Sequence, residues 1–362
     1  MTETNNIPDF GEIISFPRID IPLSAWRDGL VVRTPNWLGD AVMAVPALVQ
    51  MKKIIPASCG LFVVVPPALK TLFESMEFID EVITLHKAHA AWTKRDVHNV
   101  FKLRAGIGLL QNNSLRDTIY FRAARIPKLY GAAKRGRSLL LTKSFAFPKI
   151  RKGKLNKLHH AGRYLSMAYA LGAPEWQGEL PEFTPAKEPE LFPAEVAEVL
   201  KYDKLLVIAP GAAYGEAKRW PAENFRAVCS DWLDNGGTAA VIGTSAEKNA
   251  ADEVCRGLPK NKTANLAGKT DLADILEILK HAEICIANDS GIMHLSAVLG
   301  GRGAAVFGST DPTSTSPVSV KWKILFERQE CAPCFRRECP YGHYKCLKAV
   351  TPDMVEKALS RT

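Results

Sequence analysis

The stretch RTPNWLGDAVMAVPAL, residues 33–48, begins at the end of an apolar strand and continues as a helix. Its pattern predicts a strand over 30–34 and a buried helix over 40–55. Asp40 stands at the junction, directly after a glycine. A carboxylate there is either a helix cap or a base that takes a proton from a substrate. The residues alone leave both interpretations open.

The same alternation of strand and helix recurs along the chain. Further strands are predicted at 61–65, 81–85, 107–110, 205–209, 238–243, 284–287 and 304–308, and further helices at 67–77, 95–105, 222–234, 246–257, 271–281, 292–299 and 353–361. Strands that are apolar throughout and alternate with helices indicate parallel sheets covered on both faces. The pattern stops in a basic region and a proline-rich linker (181–195), then restarts. We therefore expect an α/β protein of two doubly wound lobes, with its site in the cleft between them.

Composition restricts the class of protein. The 362 residues, 47% of them hydrophobic and 23% charged, are typical of a globular chain long enough for two domains. No apolar run reaches the roughly 18–20 residues of a membrane helix. The polar start, MTETNNIPDF, lacks the basic and apolar regions of a signal peptide. We expect a cytoplasmic protein.

A basic block gives the chain much of its net charge of +9. No acidic residue occurs between Asp117 and Glu175, whereas basic residues are frequent there: Arg122, Arg125, Lys128, Lys134, Arg135, Arg137, Lys143, Lys149, Arg151, Lys152, Lys154, Lys157 and Arg163. The block is either a solvated face or a surface for a polyanion. Nucleic acid is the least favoured partner because no nucleic-acid-binding motif accompanies the block. A membrane surface that carries an anionic substrate fits better.

Two strand–helix junctions in the second half are candidate phosphate sites, although neither has a Walker A or G-x-G-x-x-G sequence. NDSGIMHL (288–295) opens a helix, so the N–H groups of Ser290 and Gly291 can bind an anion. Asp289 is either a plain N-cap or part of that site, and His294 either a core residue or a ligand contact.

The other junction is APGAAYGEAKRWPAENF (209–225), a loop of small residues that carries Lys218. A lysine at the carboxyl edge of a sheet is a point charge for a diphosphate, unless it is an ordinary surface lysine. Glu247, after the next strand, either reaches a ribose or lies in a first helical turn.

Four stretches together resemble one known family. They are VVRTPNWLGDAVMAVPAL (31–48), NNSLRDTIYFRAARIPKLYG (112–131), APGAAYGEAKRWP (209–221) and NDSGIMHLSAVLG (288–300). They are similar, in the same order, to the ADP-heptose:lipopolysaccharide heptosyltransferases, glycosyltransferase family 9, and most of all to the heptosyltransferase II branch. The resemblance extends from about residue 29 to the end and implies the two-lobed GT-B fold.

The resemblance implies an activity and roles for residues. Family members transfer L-glycero-D-manno-heptose from ADP-heptose to the lipopolysaccharide inner core, with inversion at the anomeric carbon. Asp40 matches the proposed general base, which favours base over cap, and Lys218 matches the residue that neutralises the departing diphosphate. The implied donor contacts are Tyr214, Lys218, Glu247, Asp289, Ser290, Gly291 and His294. Because a lysine and a helix end stabilise the leaving group, no metal or other cofactor is implied.

The chain departs from the family in one place, since Ala213 and Tyr214 stand where some relatives have hydroxyl side chains before the lysine. Part of the phosphate binding must then come from the backbone or from elsewhere. The predicted acceptor contacts lie in the first lobe and are Asn113, Ser114, Lys134, Arg135 and Arg137. The implied partners are the nucleotide sugar, the phosphorylated core glycolipid and the cytoplasmic face of the inner membrane.

The predicted organisation has four parts. A leader (1–27) precedes an acceptor-binding lobe (28–185) and a donor-binding lobe (186–345), and a C-terminal helix lies within 346–362. By the resemblance, this helix is expected to pack back on the first lobe.

The end of the chain concentrates four of its eight cysteines, Cys331, Cys334, Cys339 and Cys346. The first C-x-x-C is typical of half a zinc site, but the other spacings are not a usual second half. A packed loop with free thiols, a structural zinc site and a redox role all stay open, and a stable disulfide is not expected in the cytoplasm.

Three functions are weighed. The first is addition of the second inner-core heptose. The second is a related reaction, as heptosyltransferase I or with another nucleotide sugar or acceptor. The third is a non-catalytic clamp on anionic glycolipid, which would not need the carboxylate of Asp40.

Overall fold

The computed structural model describes residues 13–87, 91–148 and 158–360. The chain divides into two compact units, Met1–Thr184 and Pro185–Thr362. Of the predicted leader, residues 1–12 lie outside the described part. The rest is irregular apart from a short 3-10 helix, and the backbone N–H of Ile19 donates to the carbonyl of Ala170 at 2.7 Å. The described part of the leader therefore packs on the first unit.

The described residues of the first unit form one six-stranded parallel sheet. The strands are β1 (Gly29–Arg33), β2 (Gly60–Val65), β3 (Glu81–Thr84), β4 (Ile107–Leu110), β5 (Lys128–Ala132) and β6 (Lys143–Phe145). Their order is β3-β2-β1-β4-β5-β6. The first four strands confirm the sequence predictions, and β1 is completely buried, as expected for a central strand covered on both faces.

The helices of this unit differ from the predictions at the first helix and in the last two, which were not predicted. They are α1 (Leu38–Met43), α2 (Val45–Lys52), α3 (Lys70–Glu74), α4 (Lys94–Lys102), α5 (Leu115–Ala123) and α6 (His160–Ala170). The prediction of a single helix over 40–55 is wrong. The observed helix begins at Leu38 and is interrupted at Ala44, because Pro46 has no N–H to continue the hydrogen-bond ladder.

The basic block is not irregular, as the sequence pattern suggested. Its described part contains β5, β6 and the start of α6, which the charged residues concealed from the apolar pattern. The block members Lys149, Arg151, Lys152, Lys154 and Lys157 lie outside the described residues.

The described residues of the second unit form a sheet with the same topology, in the order β12-β11-β10-β7-β8-β9. Its strands are β7 (Leu205–Ala209), β8 (Thr238–Val241), β9 (Thr263–Asn265), β10 (Ile284–Asn288), β11 (Gly303–Val306) and β12 (Trp322–Leu325). Its helices are α7 (Ala194–Val199), α8 (Ala222–Asp234), α9 (Lys248–Cys255), α10 (Leu272–His281), α11 (Gly291–Val298), α12 (Pro312–Thr315), α13 (Lys345–Lys348) and α14 (Pro352–Leu359).

The last helix belongs to the core of the second unit. Helix α14 packs on α8, β11 and β12, and its Val355 is fully buried in the core of the second unit, together with Leu347 and Val350. Part of the apolar face of the helix is thus buried within its own unit, and the predicted packing on the first lobe stays a prediction. Helix α13 (Lys345–Lys348) spans the predicted division between 345 and 346.

None of the helices in the described ranges is both long and apolar enough to cross a bilayer.

Candidate functional site

In each sheet, two neighbouring strands send their following helices to opposite sides. These strands are β1 and β4 in the first unit and β7 and β10 in the second. The loops that leave such a pair diverge and open a crevice at the carboxyl ends of the strands, where open α/β sheets bind ligands. Asp40 follows β1, Lys218 follows β7 and Asp289 follows β10, so three predicted site residues lie at these switch points.

Lys218 and Asp289 form a buried ion pair in the second unit. The Lys218 Nζ lies 2.5 Å from Asp289 Oδ2, and only 11% and 4% of these side chains are exposed. Thr310 Oγ1 donates to the same carboxylate oxygen at 2.5 Å. The pair joins the loop after β7 to the loop after β10. It also means that Asp289 already compensates the lysine charge.

The interpretation of Asp289 as a plain N-cap is wrong. Helix α11 begins at Gly291, and Ser290 is the N-cap residue, with extended backbone and no side-chain cap hydrogen bond. The Oγ of Ser290 is buried and has no hydrogen-bond partner among the described residues, and the same is true of Ser309 Oγ. An unsatisfied buried hydroxyl costs about 1–3 kcal/mol. Open hydroxyls beside a helix N-terminus are suited to an anionic ligand.

His294 lies one turn into α11 and is buried. Its contact with the donor stays a prediction.

Glu247 performs the helical role that the sequence left open. Its Oε2 accepts hydrogen bonds from the backbone N–H and the hydroxyl of Thr244, at 2.8 and 3.0 Å. The carboxylate also lies against the loop after β7, where a Cβ on Gly211 would be 2.0 Å from Oε1. A Cβ there would displace the carboxylate of Glu247, which therefore lies in close contact with the backbone at the edge of the switch point. Its contact with a ribose stays a prediction.

Asn288, which the sequence analysis missed, fixes both ends of the Lys218 loop. Its Oδ1 accepts from the backbone N–H of Trp220 at 2.9 Å, and its Nδ2 donates to the carbonyl of Pro210 at 2.7 Å. The side chain is fully buried at the end of β10. The sequence feature that could have identified Asn288 as a site residue is its position directly before Asp289.

In the first unit, Asp40 is not the helix cap. Trp37 is the N-cap residue of α1, and Asp40 is the third residue of the helix. The carboxylate Oδ1 lies 3.0 Å from Nδ1 of His160, the first residue of α6, and 32% of each side chain is exposed. Because an ionised carboxylate only accepts, the imidazole is the donor. Sequence reasoning missed His160, which is far away in the chain.

Asp40 and His160 line a pocket of about 410 Å³ within this unit. The same pocket is lined by four of the predicted acceptor contacts, Asn113, Ser114, Lys134 and Arg135. The wall includes Gln111, which is 5% exposed and whose amide nitrogen and oxygen both lack partners in the described part of the chain. The pocket therefore combines a carboxylate, the three cationic side chains Lys134, Arg135 and Arg163, and an unsatisfied amide, which suits a polar, anionic ligand.

Arg137, also a predicted acceptor contact, is not among the residues that line this pocket, and its contact with the acceptor stays a prediction. It is fully buried, and its Nε donates to the carbonyl of Ala132 at 2.8 Å. Burial lowers the pKa of its guanidinium to about 10. Its Nη1 and Nη2 are buried and have no hydrogen-bond partner among the described residues.

A buried ion pair holds the two loops of the pocket together. Arg33 Nε donates to Asp117 Oδ2 at 2.8 Å, and both side chains are 1% exposed. Arg33 also donates to Asn36 Oδ1, ahead of Asp40, and Asn112 Nδ2 donates to Asp117, both at short distance (2.5 and 2.7 Å). Burial lowers the pKa of Arg33, and the charge of Asp117 opposes that shift. The pair fixes the loop of Asp40 relative to that of Asn113.

The four C-terminal cysteines line one small cavity and none of them forms a disulfide. Within residues 13–87, 91–148 and 158–360, no three His, Cys, Asp or Glu side chains are placed to hold a metal ion. The donor set therefore does not fit the zinc site that the spacing left open, and no step of the mechanism passes through one.

Comparison with known proteins identifies the family to which the chain is similar. Residues 99–345 match the family described as glycosyltransferase family 9 (heptosyltransferase). The chain is 25% identical over 348 residues to lipooligosaccharide heptosyltransferase 2 of Haemophilus influenzae, covering 91% of this chain and 98% of that protein.

Solved structures show the same fold. E. coli ADP-heptose lps heptosyltransferase II aligns with a TM-score of 0.74 and 21% identity over 92% of this chain and 97% of that one. E. coli heptosyltransferase WaaC with ADP-2-deoxy-2-fluoro heptose aligns with a TM-score of 0.64 and 16% identity, over 92% of this chain and 99% of that one. The chain thus has the two-lobed GT-B fold that its sequence predicts.

Proposed function

We propose a specific reaction for this chain from the premise that it belongs to glycosyltransferase family 9, the heptosyltransferases. It is an enzyme of lipopolysaccharide core biosynthesis that transfers a heptose. The proposed donor is ADP-L-glycero-D-manno-heptose, and the proposed acceptor is the heptosyl-Kdo-lipid A inner core. The proposed stereochemistry is inversion at the anomeric carbon. The observation that carries the proposal is the pocket that brings Asp40 together with four predicted acceptor contacts.

Asp40 is the proposed general base. The acceptor hydroxyl oxygen forms a bond to the anomeric carbon, the bond from that carbon to the diphosphate oxygen breaks, and the hydroxyl proton passes to Asp40. His160 donates to Oδ1 and restricts rotation of the carboxylate. The Arg33–Asp117 pair holds the loop that carries this base, so the base is positioned before the substrate binds.

The second unit is proposed to hold the donor. Lys218, the hydroxyl of Ser290 and the N-terminus of α11 would face the diphosphate, whose negative charge increases as the bond breaks. The lysine remains buried against Asp289, so it can be held in place before the donor arrives. This arrangement stabilises the leaving group with groups of the chain itself.

The enzyme is proposed to work in the cytoplasm, at the inner face of the inner membrane. The acceptor carries a lipid anchor and phosphate groups, so the enzyme must approach an anionic surface. Lys134 and Arg135 line the acceptor pocket and match that charge.

The test of this function is incubation of the purified chain with ADP-heptose and the heptosyl-Kdo-lipid A glycolipid. We expect release of ADP and a glycolipid that is heavier by one heptose in mass spectrometry. Transfer only to an acceptor without the first heptose would assign the chain to the heptosyltransferase I reaction. Binding of glycolipid without ADP release would instead support the non-catalytic clamp.

The double variant Lys134→Gln, Arg135→Gln should raise the KM for the glycolipid about tenfold, since both side chains are exposed and each exposed ion pair contributes about 0.2–1 kcal/mol. The KM for ADP-heptose should not change. Steady-state kinetics at low and high salt measure both constants. The control removes the same charge from two exposed lysines of the second unit, Lys201→Gln with Lys260→Gln. Equal glycolipid KM in parent and variant at low salt would show a merely solvated basic face.

A further inference from the structure

The cysteine-rich segment, residues 331–346, is in contact with the loop that carries Lys218. The backbone N–H of Ala217 donates to the carbonyl of Arg337 at 2.9 Å. The hydroxyl of Tyr214 donates to the carbonyl of Phe335 at 2.8 Å. The segment is also joined to the loop after β11, because the N–H of Phe335 donates to the carbonyl of Ser309 at 2.7 Å. These bonds place the segment beside the proposed donor site.

Gly215 allows this close approach. Its φ is +151°, and a Cβ at this position would lie 2.4 Å from the carbonyl oxygen of Arg337. A larger residue would push the two backbones apart. The main chain at Arg337 is therefore fixed by the loop, independently of what its side chain does.

The Arg337 side chain lies over Tyr214. Its Cζ is 5.4 Å from the centroid of the Tyr214 ring, and the Nζ of Lys218 is 4.8 Å from the same centroid. The arginine is exposed and forms no ion pair with a carboxylate in the described part of the chain. Lys218, by contrast, is compensated by Asp289 at 2.5 Å. The positive charge of Arg337 is therefore not already paired. It lies where the diphosphate is expected to bind.

We propose that Arg337 is a second cation for the diphosphate of the donor, an inference that rests on the proposed function. A guanidinium binds phosphate oxygens through two parallel N–H groups. The Tyr214 ring holds the guanidinium through a cation–π contact, which contributes about 0.5–1 kcal/mol at an exposed site. The proposal also explains the departure at Ala213 and Tyr214: the hydroxyls of some relatives are replaced by an aromatic support for an arginine from another segment. It gives the cysteine-rich segment a part in donor binding.

The experiment is calorimetric titration of the full chain with ADP. The variant Arg337→Gln should bind ADP about tenfold more weakly, as expected for loss of one charge-assisted hydrogen bond at a solvated site. The matched control, Arg336→Gln, removes the same charge from the neighbouring exposed residue and should change the Kd less than about twofold. Arg337→Lys should recover part of the affinity, since it keeps the charge but loses the fork.

The nucleoside separates phosphate binding from a structural effect. Adenosine should bind parent and Arg337→Gln equally, whereas a distorted loop would weaken adenosine and ADP together. Unchanged ADP affinity in Arg337→Gln, with weaker binding in Lys218→Gln, would overturn the proposal and leave the donor site intact. Failure of the parent to bind ADP would instead overturn the proposed function.

Discussion

The variant Asp40→Asn should lose transfer by roughly 100- to 10,000-fold in kcat, the contribution of a positioned general base. Asparagine preserves the size of the side chain and its contact with His160 but cannot accept the hydroxyl proton. The Kd of ADP should stay within about twofold, since the substitution lies in the first unit and removes no contact of Lys218. Single-turnover assays at saturating glycolipid measure the chemical step directly.

The matched control for Asp40 is Asp28→Asn, which makes the same change on a carboxylate of the same unit that pairs with Arg104 at the surface, at 3.4 Å. It should retain the parent rate because exposed ion pairs contribute little. An Asp40→Asn enzyme that keeps half of the parent rate would assign the base to another residue. Thermal melting of both variants excludes unfolding as the cause of lost activity.

The variant Lys218→Gln should lower kcat by roughly 100- to 1,000-fold, the usual effect of removing one group that stabilises charge in the transition state. It should also raise the KM for ADP-heptose, because the diphosphate carries charge before the bond breaks. Steady-state kinetics with varied donor give both constants. A change in neither constant would remove Lys218 from the site.

Lys218→Gln leaves the buried carboxylate of Asp289 without its ion pair, and breaking such a pair costs about 3–5 kcal/mol. The double variant Lys218→Gln, Asp289→Asn removes both charges and should recover much of that stability in thermal melting. If Lys218 acts on the diphosphate, the double variant is folded but stays inactive. Recovery of activity along with stability would show that the lysine only holds Asp289.

The regular part of the fold was predictable because its strands are apolar throughout. Strands β1, β2, β4 and β7 follow this rule, and helix α8 begins and ends at the predicted residues. The missed strands are short or charged: β6 and β9 have three residues each, and β12 has a lysine in its middle. Such strands are recognised by their neighbours in the sheet, and a linear pattern does not contain that information.

The candidate site was predictable where a residue follows a strand in the sequence. Asp40, Lys218 and Asp289 satisfy this condition, so the topology of the sheet was enough to place them. His160, Asp117 and Arg337 were missed because their partners lie 84 or more residues away in the chain. The positive charge of Arg137 suggests exposure, whereas the side chain is buried and donates to the carbonyl of Ala132, which a linear pattern does not show.

The separation of the strands into two sheets, one in each unit, has a consequence for folding during synthesis. Every described strand pairing joins strands of the same unit, and the unit that contains the first sheet ends at Thr184. A ribosome that has released this residue from its exit tunnel has supplied all six strands of that sheet, while β7 and the strands after it have not yet left the tunnel. Domains fold as units during synthesis, the amino-terminal one first. The unit that carries Asp40 and its pocket can therefore fold before the second unit has emerged.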